Sequence, residues 1–174
     1  VQEILNAANI KKGTLTYDMK EIDFKNLVSN EAEKYREVFK KHGLNLELNF
    51  SEGTYTILGD QAQLEHVLRN LLDNCLKYKQ LEKKEGLVKF QLKNTASKIF
   101  FSIEDDGVGI TTEDMKKLFT EGGRGKDSVK VNVESTGYGL YIVKNIITAH
   151  KGTIRAESEG HCKGSRFVVE LPIK

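Results

Sequence analysis

The most restrictive pattern in the chain lies between residues 60 and 79. Leu64, Val67, Leu68, Leu71, Leu72, Cys75 and Leu76 recur at intervals of three and four, the spacing of one face of an α-helix. Asp60 stands where an N-cap belongs. A helix with so apolar a face must be covered by a second layer, and its neighbours supply one. Residues 1–12 read as the end of a helix stopped by Gly13, and 14–20 as a strand. Residues 23–42 predict a helix capped by Asp23, with Phe24, Leu27, Val28, Ala32, Tyr35 and Phe39 along its stripe. Strands follow near 44–50 and 55–58, joined by a Ser-Glu-Gly turn. Segments 87–94 and 98–104 predict a hairpin around Lys93–Ser97. A short helix at 112–119, a helix at about 139–150 and strands at 153–158 and 165–171 complete the chain. Residues 120–137 have no period and read as a long mobile loop of the functional kind. Helices and hairpins are mixed rather than strictly alternating. The expected fold is therefore an α/β (α+β) two-layer sandwich: a mixed, mostly antiparallel sheet with helices on one face.

Composition removes several classes of function. The 174 residues are enough for one domain, with 39% hydrophobic and 30% charged residues. The 27 Lys and Arg nearly balance the 25 Asp and Glu, so global charge does not point to nucleic acid. Cys75 and Cys162 form no CxxC pair, and the four histidines show no metal spacing. Cys75, among leucines, reads as a core residue. A reducing, cytoplasmic setting is the expectation. No apolar run approaches the roughly 18–20 residues that span a bilayer. The chain opens on Val1 rather than Met, the expectation for a piece of a longer protein.

Four segments carry chemistry. On the 60–79 helix, Asn70, Asn74 and Lys77 share one stripe, with Tyr78 beside them. An amide oxygen for Mg²⁺ next to an ammonium for phosphate suits a metal–polyphosphate ligand; a plain solvated face is the other reading. In EDDGVGI (104–110), Asp105 can accept a hydrogen bond from an exocyclic amine such as adenine N6. Gly107 and Gly109 would let backbone pass close to a flat ring or phosphate; glycines after a strand also simply make a turn. In ESTGYGLYIVKNI (134–146), Gly137 and Gly139 lead into a helix whose free N–H groups favour phosphate. Neither the dinucleotide fingerprint nor a P-loop is present. In GHCKGSRF (160–167), Gly164 and Ser165 precede the last strand and read as a turn.

The order of these segments carries more than any one of them. NLLDNCLKY (70–78), DDGVGI (105–110), LFTEGGRG (118–125), STGYGL (135–140) and GHCKGSRF (160–167) resemble the N, G1, F, G2 and G3 boxes of sensor histidine kinases, members of the Bergerat-fold (GHKL) ATPases. The resemblance covers 60–174 box by box and 20–59 by arrangement. It implies a Bergerat ATP-binding fold at 14–174 with an ATP lid at about 120–137, preceded at 1–13 by the end of a second dimerisation helix. It implies Asn74 as the Mg²⁺ ligand with Asn70 assisting, and Lys77 and Tyr78 facing phosphates and ribose or base. Asp105 would read adenine, with Gly107, Gly109 and Ile110 beside it. Phe119, Arg124 and Lys126 would belong to the lid side, with Arg124 and Lys126 reaching the γ-phosphate. Gly137 and Gly139 would flank the phosphates, and Thr136, Tyr138, Leu140 and Ser165 are further candidates for nucleotide binding. Asn70, Lys77 and Arg124 are the catalytic candidates. Two departures stand out: Ser135 replaces the usual opening glycine of the G2 box, and Tyr138 its usual leucine.

The implied activity is transfer of the ATP γ-phosphoryl group to a histidine on a dimerisation helix of the parent kinase, with a response regulator as the onward partner of the full kinase. ATP-hydrolysing relatives place a water-activating Glu where this chain has Asn70, which favours phosphoryl transfer. No histidine precedes His42, and the lone proline is Pro172, so a family-type acceptor box is absent. A catalytically inactive nucleotide-binding regulatory module, or a GHKL serine kinase or ATPase, is the alternative. The piece itself is expected to be monomeric, without nucleic-acid or membrane contact.

Overall fold

The computed structural model describes residues 2–122 and 137–174. The elements run α1 (Gln2–Lys12), β1 (Lys20–Asp23), α2 (Phe24–Lys41), β2 (Leu44–Phe50), β3 (Thr56–Gly59), α3 (Gln61–Lys77), β4 (Gly86–Asn94), β5 (Lys98–Asp105), α4 (Thr112–Met115), α5 (Gly139–Ala149), β6 (Thr153–Glu157) and β7 (Ser165–Pro172). The main sheet has the order β2-β4-β5-β7-β6. Among the described pairs of this sheet, β2–β4 is parallel and the others are antiparallel. The two-layer, mostly antiparallel expectation holds.

Alternation along the strands sets the layers. Val88, Phe90 and Leu92 of β4, Ile99, Phe101 and Ile103 of β5, and Phe167, Val169 and Leu171 of β7 are buried. The period of two puts them all on the face that α2, α3 and α5 cover. Phe24 of α2 meets Phe101, and Phe101 meets Phe90, at ring separations of 5.4 and 5.8 Å. The other face carries charge, with Arg166 and Arg155 bonded to Glu157.

Both long helices start as their caps predict. The Asp23 carboxylate accepts from Asn26 N, and Asp60 from Gln63 N. Tyr35 Oη donates to Asp73 Oδ1 at 2.7 Å and joins α2 to α3. Asp60 does more than cap. Its second oxygen accepts from Asp18 N at 2.8 Å, and its own N–H donates to His150 Nε2 at 2.9 Å. His150 Nδ1 donates to Ile146 O, which fixes the neutral tautomer. The start of α3, the end of α5 and the segment before β1 therefore meet at one buried histidine.

One expectation is corrected. The strand placed at 14–20 is instead β1, four residues at Lys20–Asp23. The alternation in TLTYDMK points Tyr17 at the His150 ring, 5.8 Å away and edge-on, rather than into a ladder. Across the Ser-Glu-Gly turn, β2 and β3 belong to different sheets. β2 is an edge of the main sheet, while β3 pairs with β1 in a separate two-stranded sheet.

Candidate functional site

Asp105 is the last residue of β5, on the helix-covered face beyond Ile103 and Phe101. Its row ends in Val88 on β4 and Ser165 on β7. A carboxylate at the end of an apolar row is poorly hydrated, and burial raises its pKa from 3.8 to about 6. Two donors oppose that rise: Ser165 Oγ at 2.8 Å from Oδ2, and Gly107 N at 2.9 Å from Oδ1. Asp105 is thus held in one orientation by groups that favour its charged form.

The loop after Asp105 is strapped on both sides. Val108 N donates to Tyr78 O at 2.8 Å, which brings the end of α3 against it. Gly164 N donates to Gly107 O, and Cys162 N to Val108 O at 2.7 Å. These close approaches explain the glycines. A Cβ on Gly107 would lie 2.3 Å from Tyr78 O, and one on Gly164, at φ +72°, would lie 2.1 Å from Asp105 O. The GHCKGSRF segment, which alone reads as a turn, is therefore a wall of the site.

Two residues outside the box pattern complete the strapping. Gln80 Nε2 donates to Asp106 O at 2.8 Å and Gly107 O at 3.1 Å, and reaches Cys162 O at 3.3 Å. Ser158 Oγ accepts from Ile110 N at 3.0 Å and donates to Gly164 O at 2.6 Å. Neither has a sequence signal, because each bonds backbone groups far along the chain.

On α3, Asn70 is 8% exposed, so the plain solvated face is excluded at that position. Its Nδ2 donates back to His66 O at 3.0 Å, so its Oδ1 is the end turned to other partners. Asn74, Lys77 and Tyr78 follow toward the Asp105 loop, each half-buried. Ile110 and Phe119 pack partly buried against the core, Phe119 edge-on to Phe167 at 6.3 Å. Gly137, at φ +77°, and Tyr138 precede α5, which has no side-chain N-cap bond. Gly139 and Leu140 form its first turn, and α5 packs along α3. Arg124, Lys126, Thr136 and most of the 120–137 loop lie outside the described residues.

A metal site is tested by its donors. Among the described residues no cluster of three or more His, Cys, Asp or Glu side chains could hold an ion. Asn74, with the buried Asn70 one turn before it, offers amide oxygens only. That set fits a Mg²⁺ brought in by polyphosphate, which takes few protein ligands.

Residues 59–174 match the family described as histidine kinase-, DNA gyrase B-, and HSP90-like ATPase. The chain is 32% identical to the sensor protein RprX of Bacteroides fragilis over 173 residues, 99% of this chain and 33% of RprX. It thus spans about a third of that relative's length. Among solved structures, the Acinetobacter baumannii histidine kinase AdeS superposes with a TM-score of 0.76 at 25% identity, over 99% of this chain and 76% of that one. Full-length ShkA in complex with AMPPNP superposes at 0.80 and 22% identity, over 98% of this chain and 34% of that one, a likeness of fold. No helix among the described residues is long and apolar enough to cross a membrane. With this sheet order, this strapped Asp105 loop and a family match over two thirds of its length, the chain belongs to the histidine kinase-, gyrase B- and HSP90-like ATPases and matches the ATP-binding catalytic domain of two-component sensor histidine kinases.

Proposed function

We propose that this domain binds Mg²⁺-ATP across α3, the Asp105 loop and the head of α5, and passes the γ-phosphoryl group to a histidine on a dimerisation helix of the parent kinase. The observation that carries this is Asp105, a carboxylate at the end of an apolar row with both oxygens held in place. Such a group reads an amine on a flat, apolar ring, and adenine N6 is that amine. Ser165 orients Asp105, Gly107 and Gly109 keep the backbone low beneath the ring, and Ile110 and Tyr78 border it.

Further back along the same half of α3, Asn74 and Asn70 would offer oxygen to Mg²⁺, which neutralises charge on the phosphates when bound. Lys77 would add a cation, and the uncapped N–H groups at Gly139 and Leu140 would meet phosphate oxygens. The acceptor imidazole attacks phosphorus, the bond to the β-phosphate oxygen breaks, ADP leaves and the imidazole proton passes to solvent. This step needs alignment and charge neutralisation rather than a base from this chain. Asn70, an amide, activates no water, which supports transfer over hydrolysis. Arg124, Lys126, Phe119, Thr136, Gly137 and Tyr138 are assigned to the phosphate and lid side by the box pattern. Helix α1 is read as the end of the dimerisation helix, a response regulator as the onward partner of the full kinase, and the isolated domain as a cytoplasmic monomer.

The test is calorimetric titration with a non-hydrolysable ATP analogue, with and without Mg²⁺, on wild type and Asn74→Ala. Wild type should bind more tightly with Mg²⁺, and the variant should lose about tenfold or more of that gain. An Asn74→Ala domain with the full magnesium gain removes Asn74 from the metal site. A wild type that binds no nucleotide leaves a scaffold in place of a kinase domain.

A further inference from the structure

A second cleft lies at the far end of α3 from Asn74 and Tyr78. It has a volume of about 860 Å³ and is bounded by β1 and the first turns of α2 and α3. Five carboxylates line it, Glu21, Asp23, Glu31, Glu33 and Glu65, against one lysine, Lys34. Three of the carboxylates have work within the fold. Asp23 caps α2, Glu33 holds Arg36 at 2.9 Å, and Glu21 pairs with Lys174.

Glu31 differs from these. It is 2% exposed, yet charged side chains are almost never so buried unless paired. One oxygen, Oε1, takes the Lys34 ammonium at 2.7 Å. The other, Oε2, is buried and has no hydrogen-bond partner among the described residues. An orphaned carboxylate oxygen is costly, and among the described residues only the Lys34 ammonium on the other oxygen offsets it. Lys34, its neutraliser, is a 65% exposed side chain on a flexible stem. It covers one oxygen as a point charge and can swing away.

The geometry points to Glu31 as the anchor of a binding site for a guanidinium group, carried by a small organic cation or an arginine side chain, which displaces Lys34 and engages both carboxylate oxygens. A planar guanidinium presents two parallel N–H groups, which match Oε1 and Oε2 together; an ammonium cannot. Glu65, whose Oε1 accepts from Gln61 Nε2 at 3.0 Å, stands on the facing helix to receive the ligand's remaining N–H groups.

Amide NMR titrations of the chain with agmatine, putrescine and the tripeptide Gly-Arg-Gly test this. Agmatine should shift amides at 26–34 and 61–65, and bind about tenfold or more tighter than putrescine. Glu31→Gln should abolish those shifts while nucleotide binding persists. Lys34→Met, which removes the competing ammonium, should tighten agmatine binding severalfold. Shifts from Gly-Arg-Gly as well would place the natural group on a protein side chain; shifts from agmatine alone would place it on a free small cation. Equal affinity for agmatine and putrescine, agmatine shifts that survive Glu31→Gln in a folded variant, or no shifts in the cleft at millimolar agmatine would each overturn the assignment.

Discussion

Asp105 concentrates the conflict between stability and recognition. Its folded pKa of about 6 lies above the ordinary 3.8. Between these values the folded state holds more proton than the unfolded one, so the contribution of this group is full below pH 3.8 and lost as pH rises through 6. At neutral pH the ionised carboxylate destabilises the empty domain, by at most about 3 kcal/mol. Asp105→Asn should therefore raise Tm at pH 7–8 and leave it little changed near pH 4. The same substitution removes the charged acceptor proposed for adenine N6, worth roughly 1.5–3 kcal/mol, so nucleotide affinity should fall about tenfold or more. In wild type, affinity should weaken as pH drops through 6. A variant with higher Tm and unchanged nucleotide affinity would separate Asp105 from adenine.

At the scale of elements, the site depends on how closely the α3 terminus and two loops approach one another. Gly107→Ala drives a Cβ against the Tyr78 carbonyl, and backbone cannot rotate away as a side chain can. Expected costs are about 1–3 kcal/mol in chemical denaturation, with a larger loss of nucleotide affinity than of stability. Normal binding by this variant would mean that the loop has slack. Elements with strong patterns were legible in the sequence: α3 from its leucine spacing, α2 and α3 from their caps, and the β4–β5 hairpin from its turn. The partners of short strands were not. β1 and β3 are four residues each, and their pairing is settled by which core face needs closing rather than by local pattern. The same holds at the site. Asp105 and Gly107 were visible because their chemistry sits in adjacent residues. Gln80 and Ser158 were not, since their roles exist only after distant segments meet. His150, which shows no metal spacing in the sequence, proves to be a buried junction for the same reason.

For the whole molecule, the histidines bear on what the chain does alone. His42 caps α2 and its ring lies on Val38 O. His150 is buried with both ring nitrogens engaged. His66 lies within α3 and His161 in the loop before β7. None stands in an acceptor box. Incubated with Mg²⁺-ATP, this 174-residue chain should show no stoichiometric phosphohistidine by phosphate-preserving mass spectrometry, and should label a supplied dimerisation helix in trans. Stoichiometric label on the chain itself would reverse the proposed division of labour.

Strand order has one more consequence, for synthesis. β7 is made after the other strands of this sheet, yet it lies inside the sheet between β5 and β6. Among the described strands, β6 pairs with β7 alone. The nascent chain therefore leaves the ribosome with β5 open along one edge and β6 without a ladder, until residue 172 has emerged. Ser165, the hydroxyl that orients Asp105, arrives on that same strand. Cotranslational folding of this domain must wait for β7, and a ribosome that stalls before it releases an aggregation-prone sheet edge rather than a partial domain.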